Sequence, residues 1–383
     1  MNDKKTLMDY RRAQKLQTPL LLTGALLSGV GTSVSVPLVI LGIAIMLFAI
    51  VIGVLYYRCP HCGRPLGRIG EGGAYCPHCG KALNAPVEEP VRSITVPAYA
   101  KLNLTLDILG KRDDGYHEMQ MVMQTVSLHD DVTVTLTDGK GITCRVDGAA
   151  LPCDERNLAV KAARAFCEAM DYGGGIDIAL IKRIPSEAGM AGGSADAAGV
   201  LVGLNVLYGA KLSMSELCAL GAKIGADVPF ALMGGTCRVQ GVGDVMKALP
   251  PCPDCWFTVV MPDYGVSTPE AFAAYDKVGS STHPDCEAQE KAIRAEDLAG
   301  VCAAAGNALE ECSGARDNEA IKTALKENGA VTALMTGSGA AVFGVFRTEA
   351  EAKAAADALR ARWPQVYTAQ PVRGGACPLR HLR

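Results

Sequence analysis

The chain has 383 residues, of which 49% are hydrophobic and 20% are charged. This length accommodates two or three domains, and this composition supplies enough apolar surface for a core, which excludes a largely disordered protein. With 37 basic and 40 acidic side chains the formal net charge is -3. That balance excludes a protein that mainly coats nucleic acid, so no nucleic-acid partner is expected.

The first 57 residues are basic and then strongly apolar, with no charged residue between Lys15 and Arg58. One helix needs about 20 apolar residues to cross about 30 Å of hydrocarbon. The block therefore predicts a transmembrane hairpin at 1–57, with spans at 18–31 and 36–57. Basic residues on both flanks favour two cytoplasmic ends. The alternative is a cleaved signal peptide followed by one span.

Four cysteines follow in two matching turns, CPHCG at 59–63 and CPHCG at 76–80. Two such turns at this separation are typical of a tetrahedral, structural Zn²⁺ site with Cys59, Cys62, Cys76 and Cys79 as ligands. We predict a zinc ribbon at 58–83 whose metal supplies the folding energy, and the sequence does not indicate its protein partner. The alternatives are disulfides or unligated thiols. The other cysteines are scattered, which indicates a reducing compartment; a lone CPDC at 252–255 is interpreted as incidental.

A linker at 84–92 leads into a body that alternates strand-like and helix-like segments, as α+β domains do. Within it, KRIPSEAGMAGGSADAA at 182–198 follows a strand-like run and precedes a helical pattern. This order aims backbone N–H groups at an anion, and Gly189, Gly192 and Gly193 permit close approach of a phosphate. Ser194 is expected to cap the helix and to offer a hydroxyl to phosphate or Mg²⁺. The alternative is a plain glycine-rich connection, since the loop is neither a P-loop nor a Rossmann fingerprint.

Four further motifs place polar groups in the body. Strict alternation from Lys101 puts Lys101 and Asn103 on one strand face, where they can reach phosphate and hydroxyl groups; the alternative is a solvated polar face. DGYH at 114–117 forms a turn that carries an aromatic ring and an imidazole. Asp227 in GADVP at 225–229 is either functional or a helix N-cap. TGSG at 336–339 is a second glycine loop between apolar runs.

Together these motifs resemble the GHMP kinase superfamily, and the DGYH element resembles its 4-diphosphocytidyl-2-C-methyl-D-erythritol kinases, which serve non-mevalonate isoprenoid biosynthesis. The match covers about 93–377. It implies a two-domain α+β fold, with a ribosomal-S5-like domain at 93–245 and a ferredoxin-like domain at 246–383. It also implies ATP-dependent phosphorylation of the 2-hydroxyl of a substrate that carries cytidine diphosphate. The first 92 residues are not part of the usual enzyme.

The resemblance also implies roles for individual residues. Asp227 would accept the hydroxyl proton, Lys101 would be its partner, and Asn103 would hydrogen-bond the polyol. Tyr116 and Phe272 would sandwich the cytosine while His117 hydrogen-bonds its edge, although Phe272 is equally interpretable as a core residue. Mg²⁺ would accompany ATP. The implied ATP site comprises Pro185, Ser186, Glu187, Ala188, Gly189, Met190, Ala191, Gly192, Gly193, Ser194 and Ala195, with Asn157 and Lys182 near the adenine.

The leading hypothesis is therefore a membrane-anchored small-molecule kinase whose kinase domain lies in the cytoplasm. One alternative is another GHMP kinase, which the DGYH element opposes. A different class is a membrane-tethered zinc-ribbon adaptor with a non-catalytic, kinase-like body. A kinase that had lost its activity would be expected to lack Lys101 or Asp227, and both are present.

Overall fold

The computed structural model describes residues 10–34, 36–56, 58–59, 64, 76, 78 and 92–377. The chain divides into two compact units, the first of which ends at Pro90. Its helices are α1 (Tyr10–Val34) and α2 (Val36–Tyr56). They approach each other closely, since a Cβ atom on Gly42 would lie 2.6 Å from the carbonyl oxygen of Gly24.

These two helices correct the prediction of a transmembrane hairpin. Within the described part of the chain, no helix combines the length and the apolar character that crossing a membrane requires. The first helix does not begin at residue 18 but at Tyr10, inside the basic segment, so its first turns carry charges that hydrocarbon disfavours. The predicted membrane spans, and the membrane-anchored localisation that rested on them, are wrong.

The predicted zinc ribbon falls mostly outside the described residues, which include neither Cys62 nor Cys79. Cys59 and Cys76 are buried, and the backbone N–H of His78 donates to Cys76 Sγ at 3.4 Å. No group of three or more His, Cys, Asp or Glu side chains among the described residues is arranged to hold a metal. The structure therefore does not support a zinc site, which remains a prediction from the sequence.

The second unit begins with a seven-stranded sheet built on two long antiparallel strands, β1 (Ser93–Lys111) and β2 (His117–Thr137). Hydrophobic side chains of both strands form the core between this sheet and the helices. The sheet is completed by β3 (Gly141–Asp147), β4 (Gly175–Ile181), β5 (Thr236–Gly241), β6 (Val245–Ala248) and the short β8 (Gly306–Asn307). Along the main path the order is β3-β4-β2-β1-β8, with β5 pairing to β2 and β6 to β5.

The helices that cover this sheet are α3 (Leu158–Met170), α4 (Gly192–Leu207), α5 (Met214–Ala222) and α6 (Val228–Met233). Helix α4 lies close to the sheet because its packing face is made of small residues. A Cβ atom on Gly199 would lie 3.0 Å from the side chain of Val132. A capping box precedes α5, with reciprocal bonds between Ser213 and Glu216.

A four-stranded antiparallel sheet forms the second layer. Its strands are β7 (Trp256–Met261), β9 (Thr332–Met335), β10 (Val342–Phe346) and β11 (Gln365–Ala369), in the order β11-β7-β10-β9. Helices α10 (Asn318–Glu327) and α11 (Glu349–Leu359) pack on it, which gives the predicted ferredoxin-like arrangement. Between β7 and β8 lie α7 (Thr268–Val278), α8 (Cys286–Arg294) and α9 (Leu298–Ala303). The predicted two-domain α+β class is confirmed.

Candidate active site

A cleft of about 1340 Å³ brings the predicted motifs together. This volume exceeds the ~300–1,000 Å³ that is usual for one small ligand, so it has room for two. The predicted residues that line it are Lys101, Asn103, Tyr116, His117, Lys182, Pro185, Ser186, Glu187, Ala188, Gly189, Met190, Ala191, Gly192, Gly193, Asp227 and Phe272. Three others, Asn157, Ser194 and Ala195, are not among the lining residues.

The glycine loop connects β4 to α4 and leaves the start of that helix open. Helix α4 begins at Gly192, and its N-cap residue, Ala191, has left-handed backbone angles and makes no side-chain cap. The prediction that Ser194 caps the helix is therefore wrong, because Ser194 lies inside the first turn. Since the first N–H groups of a helix have no internal partners, an uncapped start suits an anion such as phosphate.

The second glycine loop, 336–339, holds the first one in place. The N–H of Ala340 donates to the carbonyl oxygen of Glu187 at 3.2 Å. Gly189 has a φ of +71°, and a Cβ atom there would lie 2.1 Å from the carbonyl oxygen of Thr336, so no other residue fits this contact. The hydroxyl of Thr336 also accepts a bond from the N–H of Asn103 at 3.0 Å. The 336–339 loop thus fixes both the phosphate loop and β1.

Lys101 is only 7% exposed, at the base of the cleft. Its ammonium group donates to Asn103 Oδ1 at 2.5 Å and to the carbonyl oxygen of Gly189 at 2.6 Å. Burial lowers the pKa of Lys101, while the negative charge of Asp227 partly opposes that shift. A lysine has three N–H donors, so one of them is not used by these two bonds.

Asp227 lines the same cleft as Lys101. It occupies the N-cap position of α6, yet its side chain accepts no capping bond. Within residues 92–377, it also forms no ion pair within 4 Å, so Lys101 acts on it through space rather than by direct contact. The side chain of Asn103, in contrast, is committed on both sides, since its amide also donates to Met121 Sδ at 3.2 Å.

The DGYH turn presents two different rings to the cleft. Tyr116 is 66% exposed, so its face is open to a planar ligand. His117 is buried and stacks on Phe272, with ring centroids 4.9 Å apart and planes at 26°. Its Nε2 atom pairs with Asp276 Oδ1 at 2.6 Å, which leaves Nδ1 as the ring nitrogen with no hydrogen-bond partner among residues 92–377. Bonds from Lys111 and then His117 lower the pKa of Asp276.

Lys182 reaches a buried charge cluster under the glycine loop. Its ammonium donates to Asp130 and, at 2.6 Å, to Asp196. Although burial lowers it, the pKa of Lys182 is raised overall by these two carboxylates. Asn157 is the N-cap of α3: its Oδ1 accepts the N–H of Ala159 at 2.9 Å and its amide donates to Pro152. Both side chains are thus engaged in local structure close to the loop.

Comparisons with known proteins agree with this geometry. The family profile described as "GHMP kinases N terminal domain" matches residues 157–235, and "GHMP kinases C terminal" matches 290–365. The 4-diphosphocytidyl-2-C-methyl-D-erythritol kinase of Lachnoclostridium phytofermentans is 40% identical over 68% of this chain and 91% of its own. The enzyme of that name from Clostridium tetani is 39% identical over 72% and 99%. The chain belongs to the 4-diphosphocytidyl-2-C-methyl-D-erythritol kinase family.

A crystal structure of a 4-(cytidine 5'-diphospho)-2C-methyl-D-erythritol kinase supports the same assignment. It aligns with a TM-score of 0.64 at 33% identity, covering 74% of this chain and all of that one. The predicted superfamily and the prediction of a small-molecule kinase are confirmed.

Sequence reasoning missed one residue that lines this kinase's cleft, Asp276, and one buried residue that supports it, Thr336. Asp276 lies one helical turn after Phe272 on α7, and residues four apart share a helix face, so this spacing was an available signal. Thr336 is the first residue of the TGSG motif, and the sequence alone assigns it no role. Its contact with β1 depends on residues far apart in the chain, and a local pattern cannot reveal such a contact.

Proposed function

We propose that this kinase transfers the γ-phosphoryl group of ATP to the 2-hydroxyl of 4-diphosphocytidyl-2-C-methyl-D-erythritol. One observation carries the proposal: the carboxylate of Asp227, which makes no capping bond, and the buried ammonium group of Lys101 line the same cleft. The relatives' names supply the substrate. The size of the cleft supports simultaneous binding of a nucleotide and a second, cytidine-bearing ligand.

The chemistry requires a proton acceptor and neutralisation of negative charge. An alcohol is a weak nucleophile, and phosphoryl transfer depends mainly on positioning and electrostatics. The Asp227 carboxylate, which makes no capping bond, is the proposed acceptor of the hydroxyl proton. Lys101 would use its remaining N–H to offset charge near the γ-phosphate. Its bond to Asn103 holds that side chain in place, and the second amide N–H of Asn103, which the bond to Met121 does not use, is the proposed donor to the polyol.

The phosphates of ATP would lie along residues 185–195, against the uncapped start of α4. Mg²⁺ is usually held by phosphate oxygens together with one or two protein oxygens. The hydroxyl of Ser194, which lies 3.8 Å from the position of a Cβ atom on Gly225, is the protein oxygen that would hold the ion. When bound, the ion would neutralise phosphate charge. Asn157 and Lys182 are proposed to lie near the adenine.

For the cytosine, the exposed ring of Tyr116 is the proposed stacking surface. His117 would read the edge of the base through Nδ1, since Nε2 pairs with Asp276. Phe272 already contacts the imidazole on one face. It would complete the sandwich with Tyr116 once the base replaces the imidazole against that ring, which places His117 at the edge of the base.

The test is turnover of the full chain carrying Asp227→Asn. We expect a loss of roughly 10²–10⁴-fold in kcat, the usual range for a lost general base, with near-normal ATP binding. The matched control is Asp357→Asn, which alters an exposed carboxylate on α11. Mevalonate and homoserine serve as substrate controls. Near-normal turnover of Asp227→Asn would exclude Asp227 as the base, and preference for mevalonate or homoserine would refute the proposed substrate.

The arrangement of domains is a separate part of the proposal. Kinase domains at 93–245 and 246–383 are supported by the two family profiles, one in each half. A Zn²⁺ ribbon at 58–83, followed by the linker at 84–92, rests on the doubled CPHCG sequence. Metal analysis of the purified full chain tests the ribbon. We expect about one zinc per chain, lost in a Cys59→Ser variant, and a zinc-free chain would refute it.

A further inference from the structure

A second cavity, of about 340 Å³, lies apart from the active-site cleft and shares no lining residue with it. Its walls come from segments that are distant in the chain. Gln124 of β2 and Thr236 of β5 belong to the first sheet, while residues 251–256 lead into β7 of the second. Arg347 follows β10, and residues 370–373 follow β11. The cavity therefore lies where the two layers of the kinase body meet.

Two arginines, Arg347 and Arg373, distinguish this cavity. Both are exposed, and neither has a hydrogen-bond or ion-pair partner within residues 92–377. Every other arginine of that range either pairs with a carboxylate or, in the case of Arg362, stacks on Trp363 at 4.3 Å. The only two arginines of that described range that lack such a partner thus line the same cavity.

The side chains of Thr236 and Gln124 in this cavity already form hydrogen bonds within the protein. Thr236 donates its hydroxyl to Gln124 Oε1 at 2.6 Å and accepts the N–H of Cys252 at 3.0 Å. The amide of Gln124 donates to the carbonyl oxygens of Thr125, at 2.7 Å, and Val372, at 3.2 Å. These groups need no ligand, so the cationic hydrogen-bond donors open to a ligand are those of the two arginines, and Gln370 and Asp254 are the other polar side chains of the lining.

The other lining residues offset only part of the positive charge of Arg347 and Arg373. Asp254 is the one acidic lining residue, and it forms no ion pair with either arginine. The thiol of Cys255 stays neutral, because its hydrogen bond with Cys252 and its burial both raise its pKa. The net charge of the lining is therefore positive. Trp256, together with two prolines, supplies an apolar edge.

We propose that this cavity binds a compact anion bearing one or two phosphate groups. Guanidinium groups bind phosphate through paired, charge-assisted hydrogen bonds, and Arg347 and Arg373 present such groups without competing partners. A volume of about 340 Å³ is at the lower end of small-molecule sites, so the ligand is smaller than a nucleotide. A ligand held there would contact segments of both layers at once.

Calorimetric titration with inorganic pyrophosphate tests this inference. The full chain is first saturated with a non-hydrolysable ATP analogue, so that the glycine loop is occupied. We expect one remaining pyrophosphate site, weakened about tenfold or more by Arg347→Gln or Arg373→Gln, since each removes a charge-assisted contact. The matched control, Arg360→Gln, removes an exposed arginine that directly follows α11 and already pairs with Asp357, and it should bind as the wild type does.

Equal affinity of the wild type and of a variant carrying both Arg347→Gln and Arg373→Gln would overturn the proposal, as would equal weakening by Arg360→Gln. Tighter binding of succinate than of pyrophosphate would refute the assignment to phosphate. Arg347→Lys provides a check that does not depend on loss of charge: it keeps the cation but removes the paired donors, so an intermediate affinity is expected. The readout is binding rather than turnover, so its failure is distinguishable from failure of the proposed function.

Discussion

Replacing Asp196 with Asn tests the buried charge cluster below the glycine loop. There, Lys182 lies between Asp130 and Asp196, and the three side chains are 3% exposed or less. Burial raises the pKa of Asp196 to about 7, the charge of Lys182 opposes the shift, and the neighbouring Asp130 carboxylate adds to it. The cluster is neutral while Asp196 holds a proton. It carries an uncompensated negative charge once that proton is lost.

The direction of the pH effect follows from the two pKa values of Asp196, 3.8 as the ordinary value and about 7 in the folded protein. Between them the native state binds more protons than the unfolded state. The stabilising contribution is therefore complete below 3.8 and is lost as the pH rises through 7. At about 1.4 kcal/mol per pKa unit, the shift corresponds to roughly 2–4 kcal/mol of unfolding free energy. Asn cannot ionise, and its amide can donate to Asp130, so the variant keeps a neutral cluster.

Thermal melts of the full chain between about pH 4 and about pH 8.5 measure this difference. The two proteins should melt at similar temperatures at the acid end. At the alkaline end, Asp196→Asn should melt higher by about 5 °C or more. Asp263→Asn, at a carboxylate that is 82% exposed, is the control and should follow the wild type at every pH. Parallel profiles for the wild type and Asp196→Asn would show that Asp196 is already ionised throughout, and the reasoning would fail.

Two further substitutions address the ligands directly. Gly189→Ala should fold but bind ATP at least tenfold more weakly, because the added Cβ atom would lie 2.1 Å from the carbonyl oxygen of Thr336 and displace the glycine loop. A nucleotide titration measures this loss. Gly173→Ala is the control, since a Cβ atom there meets nothing within 4 Å. His117→Ala should raise KM for the cytidine substrate while leaving KM for ATP unchanged, since its ring lies with the DGYH turn rather than the glycine loop. Steady-state kinetics with each substrate varied in turn decide this, and equal losses for both would contradict the cytosine assignment.

Much of the cleft could be predicted because its parts are short local patterns. The strand-like run before residue 182 is β4 at Gly175–Ile181, and the glycine loop follows it as the pattern indicates. The strand containing Lys101 is different. Its alternation of polar and apolar residues is compatible with a polar face exposed to solvent. In the structure, however, Thr105 and Asp107 on that face are buried, as the apolar residues are. Elements from much later in the chain cover that face, as the bond from Thr105 to Gln289 of α8 shows, and no local pattern contains that information.

The start of α4 shows a second limit of local reasoning. Ser194 has a residue type that favours N-caps, so the sequence predicts a helix beginning after it. The helix begins earlier, at Gly192, because Ala191 adopts left-handed angles at the N-cap position. Contacts with the 336–339 loop fix the preceding backbone, so tertiary structure overrides the local preference. The consequence is functional, since a side chain that capped the helix would occupy the N–H groups that a phosphate needs.

Lys101 connects the phosphate loop to the proposed chemistry. One of its N–H groups holds the carbonyl of Gly189, and a Cβ atom on Gly337 would lie 3.1 Å from its Nζ atom, so the ammonium contacts both glycine loops. Burial lowers the pKa of Lys101 and so opposes its charged form, and Asp227 counteracts that effect. The carboxylate proposed as the base therefore also helps to keep the lysine charged. Because the lysine in turn positions the loop, proton transfer and phosphate binding in this kinase depend on the same pair of side chains.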